Sequence, residues 1–117
     1  MKTLLFLLSA PPHGSILGQE ALDALLMGSA FATCQVLFVN DGLFQLLLDQ
    51  DTSALGLKNY SNGYKALPDF DVTELYCLKS DLTARGLELN DLTVAATALD
   101  QQAAQALLTN ADVVLSF

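Results

Sequence analysis

Met1-Lys2-Thr3-Leu4-Leu5-Phe6-Leu7-Leu8-Ser9-Ala10-Pro11-Pro12-His13-Gly14 is the stretch on which the reading of the whole chain turns. A lysine near the start, an apolar run and small residues behind it are the parts of a secretion signal. The same residues also describe a strand buried on both faces that ends in a Pro-Pro-His-Gly loop. The apolar run from Leu4 to Leu8 is shorter than the roughly 7–15 residues of a signal's apolar core, and two prolines stand where cleavage would fall. A run of about 4–8 apolar residues closed by Pro and Gly fits a buried parallel strand. Helical spacing begins at once with Ile16 and continues to Ala32, so no spacer is left for a cleavage site. The strand is the better reading. It makes the chain a cytoplasmic α/β protein that starts inside its own core.

Working outward, composition sets the bounds. The 117 residues suffice for one domain, spanning 1–117, with a core of ordinary size. Hydrophobic residues make up 52% and charged residues 15%, against about 25% charged in an average domain. Polar side chains are therefore too few to cover a small monomer, and partners are expected on the apolar surface left over. The net charge is -8 and the pI about 4.1. Five Lys and Arg in total cannot supply the phosphate contacts that dominate nucleic-acid affinity, so direct binding of RNA or DNA is excluded. The sequence holds no apolar run long enough for a membrane helix. Cys34 and Cys77 lack both metal-ligand spacing and the density of a disulfide framework, which points to reduced thiols and to no metal.

The chain then alternates between two periods. A first strand over Lys2–Ser9 is followed by a helix in which Ile16, Leu17, Ala21, Leu22, Ala24, Leu25, Met27 and Gly28 face inward, Gln19, Glu20 and Asp23 face water, and Ser15 is the candidate cap. Gln35–Val39 reads as a second strand and Asn40-Asp41-Gly42 as a turn, with a short helix over Leu43–Leu48. From Asp49 to Pro68 the pattern weakens, leaving at most a helix within Asn59–Leu67. Val72–Leu78 is a third strand and Lys79–Arg85 a helix stopped by Gly86. Leu92–Ala95 is a weaker fourth strand. Asp100–Thr109 is an amphipathic helix with Ala103, Ala104, Leu107 and Leu108 inward, and Asp112–Phe117 is a fifth, buried strand on which the chain finishes without a tail. Strand, loop and helix in repeated order signify a parallel sheet with crossover helices.

In such a sheet chemistry gathers at the carboxyl ends of the strands. That rim collects Pro11–Gly14, Asn40–Gly42 and Cys77–Ser80. His13 is the single histidine, which rules out a multi-histidine metal site, and Cys77 is the one nucleophile it could serve as a base. Asp41 before Gly42 reads first as turn and cap chemistry and second as a general base. Gly14 and Gly18 do not form a phosphate-binding loop. Cys34 reads as a small buried hydrophobe. Cys77, at a strand end just ahead of a helix, reads either as a reactive thiol or as a packed strand end.

Ala10-Pro11-Pro12-His13-Gly14, Gly18–Leu26, Asn40-Asp41-Gly42-Leu43-Phe44-Gln45-Leu46-Leu47, Leu82–Leu87 and Asp112–Phe117 resemble the TusC/DsrF family over nearly the whole chain, with Asp49–Asp71 matching poorly. The resemblance implies a DsrE-like α/β sandwich with a mostly parallel five-stranded sheet and helices on both faces. It further implies a subunit of a TusBCD-like complex, a dimer of heterotrimers with TusB- and TusD-like partners. Such a complex passes persulfide sulfur from TusA- to TusE-like carriers for 2-thiouridine formation in tRNA, or serves sulfur oxidation as its DsrEFH counterpart. No cofactor is implied. The sulfur-carrying cysteine of the family belongs to the D-type subunit, and its position, counted back from Arg85-Gly86, falls here on Leu78, one residue past Cys77. Neighbours on a strand face opposite ways, so the resemblance implies an assembly subunit in which His13, Gly14, Asp41, Gly42 and Phe44 shape loops or interfaces. The alternatives are a sulfurtransferase with Cys77 as persulfide carrier, and a regulatory module binding a small anion at Pro11–Ser15. Alone, the chain is expected to form homo-oligomers.

Overall fold

The computed structural model describes residues 2–11, 16–46, 64, 67–92 and 94–117. Five strands form one sheet: β1 (Thr3–Leu8), β2 (Thr33–Phe38), β3 (Glu74–Leu78), β4 (Thr97–Leu99) and β5 (Val113–Ser116), in the order β4-β3-β2-β1-β5. Every pairing is parallel. The opening apolar run is thus an inner strand, as its composition required, flanked by β2 and β5. Leu5 and Leu8 are completely buried.

Among the described residues three α-helices lie between the strands: α1 (Leu17–Gly28), α2 (Lys79–Ala84) and α3 (Gln101–Asn110). Helix α1 and α2 pack on the face that carries Phe6, Leu8, Val36, Phe38, Leu75 and Cys77. Helix α3 lies on the opposite face, over Leu5 and Leu37. The sidedness follows from the order of the strands. The chain steps from β1 to β4 in one direction, so right-handed crossovers place the first connections on one face, and the return from β4 to β5 places α3 on the other.

Local chemistry sets the ends of these elements. The Asp100 side chain accepts the Ala103 N–H at 2.7 Å and caps α3. Helix α2 ends with Gly86 at φ +64, while Leu87 N–H bonds the Leu82 carbonyl and Gly86 N–H the Thr83 carbonyl. That is a glycine C-cap closing two otherwise open carbonyls.

The structure differs from the expected elements at several points. The fourth strand is Thr97–Leu99, not Leu92–Ala95; Leu92 is instead a buried plug in the α1-side core. The fifth strand is not buried, because as an edge it has a neighbour on one side only, and Val113, Val114 and Leu115 are each more than a third exposed. In α1 the buried residues Gly18, Ala21, Leu22 and Leu25 form the inward stripe. Ile16, Leu17 and Met27, expected inward, are exposed; Met27, two positions from Leu25, points about 200° around the helix from it. Ala103 of α3 also faces solvent. The helix expected over Leu43–Leu48 is a 3-10 helix from Asn40 to Leu46. Ser15, Leu47, Leu48 and, apart from Tyr64 and Leu67, the helix expected within Asn59–Leu67 lie outside the described residues.

Candidate functional site

The strands β1, β2 and β3 all end on one rim, and the residues after them meet there. Asn40, directly beyond β2, has a left-handed backbone at φ +51, a conformation that Asn tolerates better than most residues. Its N–H donates to Asp81 Oδ2 at 2.9 Å, which locks the turn after β2 onto α2 after β3. Asp81 is 7% exposed and also takes the Arg85 guanidinium at 3.2 Å through Oδ1. Arg85, the chain's only arginine, reaches across to Asp41 Oδ1 at 3.1 Å and lies over the Phe44 ring at 5.9 Å from its centroid. The Asp41 end is exposed and contributes little, whereas the Asp81 end is sheltered.

Gly42 follows at the closest point between this turn and β1. A Cβ here would overlap the Leu8 carbonyl oxygen and stand 2.7 Å from the Leu8 carbonyl carbon. Three residues on, the fully buried Gln45 donates from Nε2 to the Ala10 carbonyl at 3.0 Å, fixing the start of the loop after β1, while its Oε1 has no hydrogen-bond partner among the described residues. Asp41, Gly42 and Phe44 are therefore brought into one cluster with Asp81 and Arg85. Phe44 is half-buried. His13 and Gly14, also proposed for this rim, lie outside the described residues. Reading the chain missed Asp81 and Gln45; the signal for the first was an opposite-charge pair at i, i+4 in a chain almost without cations.

Cys77 and Leu78 face opposite ways. The Cys77 thiol points into the α1-side core and is 0% exposed. Leu78 points to the α3 side, where it lines a groove of about 310 Å³. Burial pushes the Cys77 thiol up to about 11, and the Asp81 carboxylate adds to the rise. A nucleophilic cysteine needs the reverse, a thiolate favoured by positive neighbours. Cys34 is buried too, and burial raises its thiol as well. Neither cysteine is in a disulfide, and no cluster of potential metal ligands occurs among the described residues.

This environment carries a pH signature. From about pH 9 the unfolded chain releases the Cys77 proton, while the folded chain holds it until about pH 11. The native state binds more protons in that window, so stability falls as pH rises through it and is full below it. The expected loss from this group is about 3 kcal/mol. Urea unfolding at stepped pH should show the decline, and Cys77→Ala should flatten it to the remainder set by Cys34 and Tyr76, both also raised by burial. An unchanged slope would show that Cys77 is not the titrating group.

Comparison with known proteins adds relatives to this geometry. The model of the DsrE/DsrF-like family matches residues 2–117. The chain is 42% identical over 94 residues to the intracellular sulfur oxidation protein DsrF of Allochromatium vinosum, covering 79% of this chain and 68% of that protein. It is 36% identical over 118 residues to a protein TusC homolog of Vibrio parahaemolyticus, covering 100% of both. The crystal structure of the ychN protein from E. coli matches with a TM-score of 0.84 over 100% of both chains at 18% identity, a likeness of fold. No helix among the described residues is long and apolar enough to cross a membrane.

Proposed function

This chain belongs to the DsrE/DsrF-like family, and on that premise we propose that it serves sulfur relay as an assembly subunit rather than as a sulfur carrier. In this reading it joins TusB- and TusD-like partners in the cytoplasm, and the complex moves persulfide sulfur from a TusA-like to a TusE-like carrier for 2-thiouridine formation in tRNA. Support comes from the two relatives, one named for sulfur oxidation and the other a TusC homolog. The observation that carries the division of labour is the Cys77 side chain, shut in the core on the face opposite the groove that Leu78 lines. To carry sulfur, a thiolate must attack the outer sulfur of a donor persulfide and expel the donor thiolate. A thiol that is closed off from solvent and holds its proton to about pH 11 meets neither condition.

The rim gives the subunit its working part. Arg85, held by Asp81 and lying over Phe44, stiffens the turn Asn40–Gly42 as loop surface offered to the partners, the role the sequence also suggests for His13 and Gly14. Exposed Met27 and Phe31, each more than 70% accessible, leave apolar surface that fits self-association of the isolated chain.

Intact-mass analysis after incubation with a persulfidated TusA-like donor tests the reading, with and without the other two subunits. The expected result is sulfur on the D-type partner and none on this chain. Cys77→Ser in the assembled complex should leave transfer unchanged. One added sulfur on Cys77, together with loss of transfer in the variant, would overturn the proposal in favour of a relay cysteine here.

A further inference from the structure

We propose that the open edge of β5 pairs antiparallel with the β5 edge of a second copy of this chain, about a two-fold axis at Val114. The two sheets then continue as one. The inference is independent of the sulfur-relay reading, and it gives self-association of the isolated chain a surface other than Met27 and Phe31.

The backbone supplies the first argument. β5 stands at the end of the sheet order and pairs with β1 alone. The Asp112 N–H bonds the Thr3 carbonyl. By the alternation of a parallel ladder, Asp112 and Val114 therefore turn their N–H and C=O groups to β1, and Val113 and Leu115 turn theirs outward. Such an outward row of donors and acceptors is matched by another extended strand. Natural edges are commonly blunted by charge or proline, and Val113–Ser116 contains neither. The opposite edge, β4, has only three residues and runs straight into Asp100.

Symmetry and charge then choose the occupant. Outward-facing residues must oppose outward-facing residues. With the axis at Val114, Val113 of each copy faces Leu115 of the other, and the outward N–H and C=O groups of all four residues are satisfied. Val114 faces its own counterpart in a non-hydrogen-bonded pair, the arrangement that brings side chains closest, and at 40% exposure it has apolar surface to bury there. Asp112 falls opposite Ser116 rather than another acid, and its carboxylate is already drawn to the Thr3 N–H at 2.7 Å. The strand thus brings no charge to the contact, although each copy carries -8. Helix α3 packs over Leu5 and Leu37, and all four residues of β5 are exposed.

Sedimentation velocity of the full chain at rising concentration tests the pairing. A four-residue edge makes a small contact, so the expected result is a weak, reversible monomer–dimer exchange. Val114→Lys and Val114→Glu set like charges directly opposite each other. Each should weaken the dimer at least roughly tenfold with an unchanged far-ultraviolet spectrum, and their equimolar mixture should restore it. Val114→Cys should cross-link in oxidised glutathione, because facing Cα atoms of such a pair lie about 4.5 Å apart, within disulfide reach. Val113→Cys, diagonal to its counterpart at roughly 7–8 Å, should not; Cys34 and Cys77 are buried and do not compete. The proposal is overturned if the chain stays monomeric at every concentration, which would leave the edge to another protein. Association that survives both charge variants undiminished overturns it too, in favour of another surface such as Met27 and Phe31. So does a Val114→Cys chain that fails to cross-link, or one that cross-links no better than Val113→Cys.

Discussion

Gly42→Ala should lower the stability of the chain by roughly 3 kcal/mol or more, read as an early urea midpoint, although it adds a single methyl group. The turn after β2 crosses the end of β1 so closely that the new carbon would overlap the Leu8 carbonyl oxygen and crowd Ser9 Cα at 3.0 Å. These are backbone atoms of an inner strand and cannot swing aside as a side chain would. The Leu8 carbonyl also accepts the Val39 N–H at 2.9 Å, and Gly42 N–H bonds the Val39 carbonyl. Relief of the clash must therefore break the junction of β1 with the turn. The variant's far-ultraviolet spectrum should keep its helical signal at low temperature, since α1 and α3 lie elsewhere. Stability equal to the parent protein would mean that the approach of turn to strand is looser than described.

Asp81→Ala should cost about 2–4 kcal/mol, because it strands two partners at once. The Asn40 N–H loses its acceptor and the Arg85 guanidinium its sheltered carboxylate, leaving only the exposed Asp41. Asp81→Asn keeps an acceptor for the Asn40 N–H and should cost about half as much. Combining Asp81→Ala with Arg85→Met should cost less than the sum of the two single changes, as for any directly coupled pair. A second readout is chemical. Either change at Asp81 removes a negative charge that raises the Cys77 thiol, so its titration should move down from about 11 without reaching the ordinary value, since burial is the larger cause. Additive stabilities with an unmoved thiol would dissolve the cluster as a unit.

The fold was legible where a pattern had room to repeat. Leu4–Leu8 closed by prolines, Gln35–Val39 closed by Asn-Asp-Gly and the stop at Gly86 each state their element in local chemistry, and each is found within a residue or two of its expected place. Thr97–Leu99 is too short to carry a period, and the apolar Leu92-Thr93-Val94-Ala95 drew the strand reading to itself. The exposure of β5 was invisible for a different reason: Val113, Val114 and Leu115 have the composition of a buried strand, and only the sheet order reveals that they form an edge. At the rim, Asp41, Gly42 and Phe44 could be found in one run of sequence. Asp81 left only its i, i+4 pairing with Arg85 as a local sign, since its other partner is a backbone N–H 41 residues away. Alternation told that Cys77 and Leu78 face opposite ways, but which face holds the groove depends on the path of α3 back across the sheet.

The placement of β1 between β2 and β5 also has a consequence in time. On one side β1 pairs with residues that follow it within a single helix; on the other, Thr3 N–H meets the Asp112 carboxylate across 109 residues. At ordinary rates of synthesis that separation lasts roughly 5–20 s. Throughout that interval the most apolar strand of the nascent protein has one unpaired edge, the kind of edge on which neighbouring chains assemble in error. Four residues at the end of the sheet, Val113–Ser116, close it. β5 thus acts less as structural bulk than as the seal applied once its own residues have been made.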